Sequence, residues 1–226
     1  MSPARFLAAT SLALLVAPGA PPTPPPTPRL TIGRLQYDGG GDWYANPSSL
    51  PNLLAAIRAQ TTLPVADREV TVTIESPELW DVPYLYATGH GDIRFSDAEV
   101  DVLRRYLEQG GFFHADDNYG MDRSFRREIA RLFPDRELTD VPLDHPIYHI
   151  VHDLPRGIPK VHEHDGQPPR GLGIFLGDRL AVFYSYESDL GDGWEDPEVH
   201  GDPADVREAA LRMGVNLFVY AVTAGR

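Results

Sequence analysis

Short apolar runs and helical patterns alternate along most of the chain. The β-branched and apolar runs predict strands, and the longer segments between them carry apolar side chains at helical spacing. The predicted strands of the first half lie at Leu30–Tyr37, Val70–Ile74, Tyr84–Thr88 and Phe112–Ala115.

Helix start and stop signals frame the segments between these strands. Asn46 is a candidate N-cap, with Pro47 in the first turn and Leu50, Leu53, Leu54 and Ile57 on one face. Ser96–Glu99 has the sequence of a capping box and opens a helix that stops at Gly110. Asp122 is a candidate cap for a third helix, which ends before Pro134.

The second half has a looser pattern. Residues Leu138–Pro169 hold five of the eight histidines and predict loops with a short helix near Pro146–Val151. Gly177-Asp178 separates two apolar runs and predicts a β-hairpin. A last helix is expected to start at Asp202-Pro203.

This order of elements predicts one α/β domain over residues 30–226. Strands that alternate with helices favour a three-layer architecture, a mainly parallel sheet with helices on both faces. Ligands of such sheets bind beyond the carboxyl ends of the strands.

The first 29 residues are expected to lie outside this domain. A largely apolar run of 11 residues, Phe6–Val16, precedes small residues and predicts a secretory signal over 1–20. A membrane-spanning helix needs about 20 residues, so no lasting membrane span is expected. Residues 21–29 are a proline-rich linker. These features predict export to the periplasm or the extracellular space.

The composition limits the classes of partner that the protein can bind. The chain has no cysteine, which excludes a disulfide scaffold and a cysteine nucleophile. Its net charge is -13 and its one lysine is Lys160. Nucleic-acid binders present a basic face, so a nucleic-acid partner is excluded. The expected partner is a neutral, cationic or glycan-like small molecule, or a metal.

Unusual residues follow the predicted strands. Glycine, histidine, tryptophan and carboxylate side chains cluster where strands end, and seldom where they begin. The predicted ligand-binding crevice at this end comprises Asp42, Trp43, His90, His114, Asp116, Asp117, Asn118, Tyr119, Glu187, Asp192 and Trp194.

Several of these segments carry a family resemblance. The chain from about Leu30 to Val222 resembles the bacterial domain-of-unknown-function family 4159 in the motifs GGGDWY, TGHG, GGFFHADDNYGMD, DHPIYH, KVHEHDG and YESDLGDGWEDPEVH. The resemblance implies a flavodoxin-like fold of the class I glutamine-amidotransferase-like group. His114-Ala115-Asp116-Asp117 stands where that group has its nucleophile, so glutamine amidotransfer is not expected.

A divalent metal is one interpretation of the crevice. His114 and Asp116 are two residues apart at a strand end, and His162 and His164 repeat that spacing. Imidazole with carboxylate suits zinc or iron. The acidic, glycine-rich loop Asp189–Asp196 suggests calcium, although it fails EF-hand spacing. The alternative is that these side chains bind no metal and make only hydrogen bonds within the protein.

A polyhydroxylated ligand is the second interpretation. Trp43, Tyr44, Tyr119 and Trp194 share loops with carboxylates, and flat apolar faces beside hydroxyl-binding groups suit a sugar ring. The tryptophans could equally pack their own loops onto the sheet.

Hydrolysis by a carboxylate pair is the third interpretation. Asp116 or Asp117 would work against Glu187 or Asp189 as acid and base. A fourth, a phosphate loop at Gly39–Gly41, fits poorly because Asp38 and Asp42 flank it. The sequence favours a ligand-binding or accessory domain, assisted by a metal, and leaves a metal- or carboxylate-dependent hydrolase as the alternative.

Overall fold

The computed structural model describes residues 29–223, so the predicted signal segment and all but the last residue of the linker lie outside the described residues. The described chain forms one seven-stranded mixed sheet in the order β2-β1-β3-β4-β7-β6-β5. The strands are β1 Ile32–Leu35, β2 Val70–Val72, β3 Tyr84–Ala87, β4 Phe112–Asp116, β5 Thr139–Asp140, β6 Arg170–Leu176 and β7 Arg179–Tyr186.

Five neighbouring strands of this sheet are parallel. Strands β2, β1, β3, β4 and β7 run in the same direction, and β6 is antiparallel to both β7 and β5. The α/β class and the mostly parallel sheet are therefore confirmed. The predicted hairpin is also present, since β6 and β7 flank Gly177-Asp178.

Helices cover both faces of the sheet. They are α1 Ser49–Gln60, α2 Asp97–Glu108, α3 Asp122–Leu132, α4 Leu190–Trp194, α5 Pro197–His200 and α6 Ala204–Thr223, with short 3-10 turns at Pro77–Asp81 and Pro146–Tyr148.

Alternation along the strands divides the core in two. Tyr84, Tyr86 and Phe112 face the layer of α1 and α6. Leu85 and Phe113 face the layer of α2 and α3. Because successive strand side chains point to opposite faces, one strand contributes to both cores.

Two helix starts differ from the prediction. The capping box at Ser96 is present, with reciprocal bonds to Glu99. However, α1 begins at Ser49, and Asn46 lies before it with a left-handed backbone. Asp122 is the first residue of α3, after Met121 in the cap position. Both side chains make other contacts: Asn46 donates to Asp192, and Asp122 accepts from Arg126 and from the Tyr184 hydroxyl.

Candidate metal centre and adjoining cleft

Four loops meet beyond the carboxyl ends of β1, β3, β4 and β7. Asp192, on α4 after β7, accepts hydrogen bonds at Oδ1 from Asn46 Nδ2 at 2.5 Å and from Asn118 Nδ2 at 3.2 Å. Asn46 follows β1 and Asn118 follows β4. Asp192 and Asn118, two of the predicted crevice residues, therefore lie together beyond the carboxyl ends of the strands.

A chain of buried hydrogen bonds lies at the carboxyl end of β4. The Ser185 hydroxyl donates to Asp116 Oδ1, so its oxygen is left to accept from His114 Nε2 at 2.8 Å. His114 Nδ1 then accepts from the Tyr84 hydroxyl at 2.6 Å. Burial lowers the pKa of His114 to about 3, so the imidazole is neutral. Both of its nitrogens are thus engaged within the protein.

Asp116 fixes the start of α4. Its carboxylate accepts from the backbone N–H groups of Leu190 at 3.2 Å and Gly191 at 2.6 Å, and from the Tyr86 hydroxyl at 3.2 Å. Burial, and after it the charge of Asp189, raise the pKa of Asp116 to about 7. Asp116 is fully buried and its side chain positions the helix that carries Asp192.

The second oxygen of Asp192 faces two histidines. Asp192 Oδ2 lies 2.8 Å from His162 Nδ1 and 3.6 Å from His200 Nε2. One nitrogen or oxygen atom from each of these three residues lies within 4.8 Å of the other two. In a tetrahedral zinc site such atoms are about 3.3 Å apart, since each lies about 2.0–2.1 Å from the ion. The three side chains could therefore hold one metal ion.

A further carboxylate orients His162. The Nε2 atom of His162 donates to Asp202 Oδ1 at 3.0 Å, which leaves the Nδ1 atom of the same ring directed at Asp192. Such carboxylate–histidine pairs are typical second contacts of metal-binding imidazoles. The carboxylates of Asp189, Asp192 and Asp202 together raise the pKa of His162 to about 9. The side chains of His162 and His200 are 29% and 28% exposed, so solvent reaches the group.

The predicted metal residues divide between three surroundings. His162 belongs to the His162–Asp192–His200 group, while His114 and Asp116 lie in the buried chain that contains Ser185. His164 donates from Nε2 to Asp189 Oδ2 at 2.5 Å. The same oxygen lies 3.6 Å from His162 Nδ1, so the H-x-H spacing does direct both rings to one carboxylate.

No strand precedes these histidines among the described residues. The segment 157–169, which carries both histidines, contains no helix or strand. It is held by the Val161 N–H, which donates to Ser188 O at 2.9 Å, and by the Ser188 hydroxyl, which donates to Pro159 O at 2.6 Å. Although no strand leads into it, this loop still reaches the carboxyl end of the sheet.

Two of the remaining predicted carboxylates are engaged with basic partners. Glu187 Oε2 lies 2.8 Å from Lys160 Nζ, and its Oε1 accepts from the Asp165 N–H at 3.1 Å. Asp42 accepts from the His90 N–H and lies 3.2 Å from His90 Nδ1 at an exposed position. Asp117 is buried and lines a neighbouring cleft together with Tyr119.

The aromatic residues differ in exposure. Tyr44 and Tyr119 are 65% and 55% exposed, and Trp43 is half-buried against Tyr44. Trp194 is fully buried, and its indole N–H donates to Ala210 O at 2.8 Å. Trp194 therefore packs α4 against α6 and offers no face to a ligand.

Left-handed backbone is concentrated around this end of the sheet. Among the described residues, the non-glycine positions with positive φ are Asn46, Tyr119, Glu187 and Asp189. Such conformations cost of order 1–3 kcal/mol each and persist only where surrounding contacts impose them. The loops that carry the polar side chains are thus held in specific, strained conformations.

His200 and Asp202 were not among the predicted site residues. Both follow the acidic loop, and His200 ends the motif DPEVH. Their only sequence signal was this position, a histidine and an aspartate shortly after a run of carboxylates. No spacing rule connects Asp192 to a histidine eight positions later, because the contact depends on how α5 turns back.

The chain can be placed among known proteins by its sequence. Residues 31–222 match the family described as "Domain of unknown function (DUF4159)". The chain belongs to this family. A comparison with curated proteins gave no match. The DUF4159 resemblance drawn from the motifs is confirmed, and membership in the family leaves the function to be argued from the site.

No helix within residues 29–223 has the length and apolar character needed to cross a membrane.

Proposed function

We propose that this protein is a ligand-binding or accessory domain that binds one divalent transition metal through His162, Asp192 and His200. The observation that carries the proposal is the convergence of one atom from each residue within 4.8 Å, together with Asp202 behind His162. Two imidazoles and one carboxylate favour zinc over calcium, because calcium prefers oxygen ligands throughout.

Three protein ligands leave a fourth position for a small molecule. When bound, a zinc ion there would accept an oxygen atom from water or from a ligand. The exposed rings of Tyr44 and Tyr119 lie on loops at the same end of the sheet. These features support a polyhydroxylated ligand. Its hydroxyl groups can bind the metal and hydrogen-bond carboxylates, and its ring carbons can pack against aromatic faces.

The strand order supports a flavodoxin-like assignment. Strands β2-β1-β3-β4 follow the flavodoxin-like order, and β7 lies where the fifth strand would be. The apolar run near the N-terminus supports export, and the net charge of -13 disfavours a nucleic-acid partner.

A metal titration tests this function. Untagged protein treated with a chelator and then titrated with zinc chloride by calorimetry is expected to bind one equivalent. The variants His200→Ala and Asp192→Asn should lose this binding, and His149→Ala, which removes a histidine paired only with Asp153 and Leu143, should retain it. The proposal fails if wild-type protein shows neither stoichiometric binding nor a zinc-dependent rise in melting temperature.

The same three-ligand arrangement favours one second function, metal-dependent hydrolysis. Catalytic zinc sites hold a water molecule at the open position and lower its pKa. Zinc-loaded protein would then cleave chromogenic nitrophenyl glycosides or esters, and the cleavage would disappear in His200→Ala. A ligand-binding domain predicts no turnover of either class.

A further inference from the structure

A second cleft opens beside the candidate metal group. It has a volume of about 300 Å³ and lies between the turn after β4, the His164 segment and the end of β7. This volume is at the lower limit for small-molecule pockets, which span about 300–1,000 Å³. Its walls include Asp117, Tyr119, His164 and Glu187.

Two residues that line this cleft each have a buried polar atom with no hydrogen-bond partner within the described part of the chain. These atoms are Asp117 Oδ1 and His164 Nδ1. Asp117 is 3% exposed and the His164 side chain is 5% exposed. Buried polar groups are nearly always paired, so two unpaired atoms on residues of one cleft indicate a missing partner.

The two atoms belong to different kinds of group. His164 Nε2 contacts Asp189 Oδ2 at 2.5 Å, so Nδ1 is the ring nitrogen that has no partner. A carboxylate oxygen of Asp117 accepts by nature. The missing partner must therefore donate to Asp117 and pair with an imidazole nitrogen, and hydroxyl groups, which both donate and accept, can do both.

Charge and shape narrow the class of ligand. The cleft is lined by more carboxylates than basic groups, and Lys160 behind it is already paired with Glu187 at 2.8 Å, so an anion would be repelled. The ring of Tyr119 is 55% exposed and lies edge-on to His164, with centroids 5.6 Å apart. An exposed aromatic face beside two unpaired polar atoms is the arrangement that a sugar ring uses.

We propose that this cleft binds a neutral monosaccharide unit, whose hydroxyl groups donate to Asp117 Oδ1 and pair with His164 Nδ1 while its ring packs on Tyr119. The proposal deepens the proposed function, because it gives the polyhydroxylated ligand a subsite, but it does not require the metal. The two sites are neighbours, since Asp189 Oδ2 contacts both His164 and His162.

The test is saturation-transfer NMR on metal-free protein with D-glucose, D-galactose and D-mannose as probes. At least one sugar is expected to bind, and Asp117→Ala and Tyr119→Ala should each weaken that binding at least tenfold. The control Asp135→Ala removes an exposed carboxylate that follows the C-terminal end of α3, outside the residues that line the cleft, and should leave binding unchanged. Absence of binding by all three sugars, or equal binding by Asp117→Ala, would overturn the proposal.

Three further measurements keep the interpretation unambiguous. Asp117→Asn should weaken sugar binding, because a neutral amide oxygen is a poorer acceptor than a carboxylate, and it is expected to melt at a higher temperature than wild type, so this weakening could not be attributed to unfolding. Tighter binding of ethanolamine than of every sugar would assign the cleft to an amine and contradict the proposal. His200→Ala should still bind the sugar; if binding instead required zinc, the cleft proposal would fail while the metal proposal stood.

Discussion

His162 Nε2 lies 3.0 Å from Asp202 Oδ1, on the side of the ring opposite to Asp192. This contact determines which nitrogen is available to a metal, because a carboxylate can only accept. An imidazole held in this way is also a better ligand, since the carboxylate increases its basicity. Asp202 should therefore affect zinc binding without touching the ion.

The variant Asp202→Asn is expected to bind zinc 10–100-fold more weakly than wild type, the usual effect of removing such a partner. Calorimetric titration measures the change. Asp153→Asn is the matched control, because Asp153 Oδ1 pairs with His149 Nδ1 at 2.6 Å outside the metal group. Equal zinc affinity in Asp202→Asn and wild type would show that His162 does not bind through Nδ1.

Ser185 makes a different kind of contribution, to stability. Its hydroxyl connects His114 to Asp116 at a fully buried position. Ser185→Ala leaves the buried N–H of His114 Nε2 without an acceptor and removes one of the two hydrogen bonds to Asp116 Oδ1, so it should lower the free energy of unfolding by about 1–3 kcal/mol. Denaturant unfolding measures this loss. Ser76→Ala, which removes one partly buried bond to Thr73 O, should cost less; equal losses would contradict a special role for the buried chain.

The sequence predicted the fold well where local patterns were strong. The strands β1–β4 and the hairpin of β6 and β7 have apolar runs and clear turns. Helix α4 has the sequence LGDGW, whose glycines disfavour a helix. It forms because Asp116 accepts its first N–H groups and because Leu190 and Trp194 are buried, and these are tertiary contacts.

The candidate site was predicted in its location but not in its pairings. The topology rule placed Asp116, Asp192 and the histidines at one end of the sheet. Which side chains meet depends on loop paths: His114 turns inward to Ser185, whereas His162 and His200 approach Asp192 from two different segments. No period or spacing in a single sequence encodes that convergence.

Close packing at Gly191 couples the buried carboxylate to the metal group. A Cβ atom at this position would lie 2.5 Å from the Tyr86 hydroxyl, 2.9 Å from Asn46 Nδ2 and 3.0 Å from Asp116 Oδ2. Gly191→Ala should therefore cost about 1–3 kcal/mol of stability through overpacking. It should also weaken zinc binding, because Asn46 Nδ2 is the group that holds Asp192 Oδ1.

A second glycine separates these two effects. In Gly173→Ala the new methyl group would collide with Leu180 in the hairpin, outside the metal group. This variant should lose stability in denaturant unfolding and keep the zinc affinity of the wild type. If Gly191→Ala also kept the zinc affinity of the wild type, the packing around Asn46 would not be what positions Asp192.

The cleft carboxylate Asp117 should make stability depend on pH. Burial raises the pKa of Asp117 to about 6, above the value of about 3.9 expected in the unfolded chain. Between these values the folded state binds more protons than the unfolded state, so the contribution of Asp117 to stability falls as pH rises from about 4 to about 6. At pH 7 the ionised, buried carboxylate is a net cost.

Asp117→Asn should remove this cost. The variant is expected to be more stable than wild type by on the order of 2 kcal/mol at pH 7, and the difference should shrink towards zero near pH 4. Urea unfolding at both pH values measures it, with Asp135→Asn as an exposed-carboxylate control whose effect should be small at both. An advantage that was the same at pH 4 and pH 7 would mean that the carboxylate is not strained by burial, and the cleft would then lack the unsatisfied acceptor on which sugar binding rests.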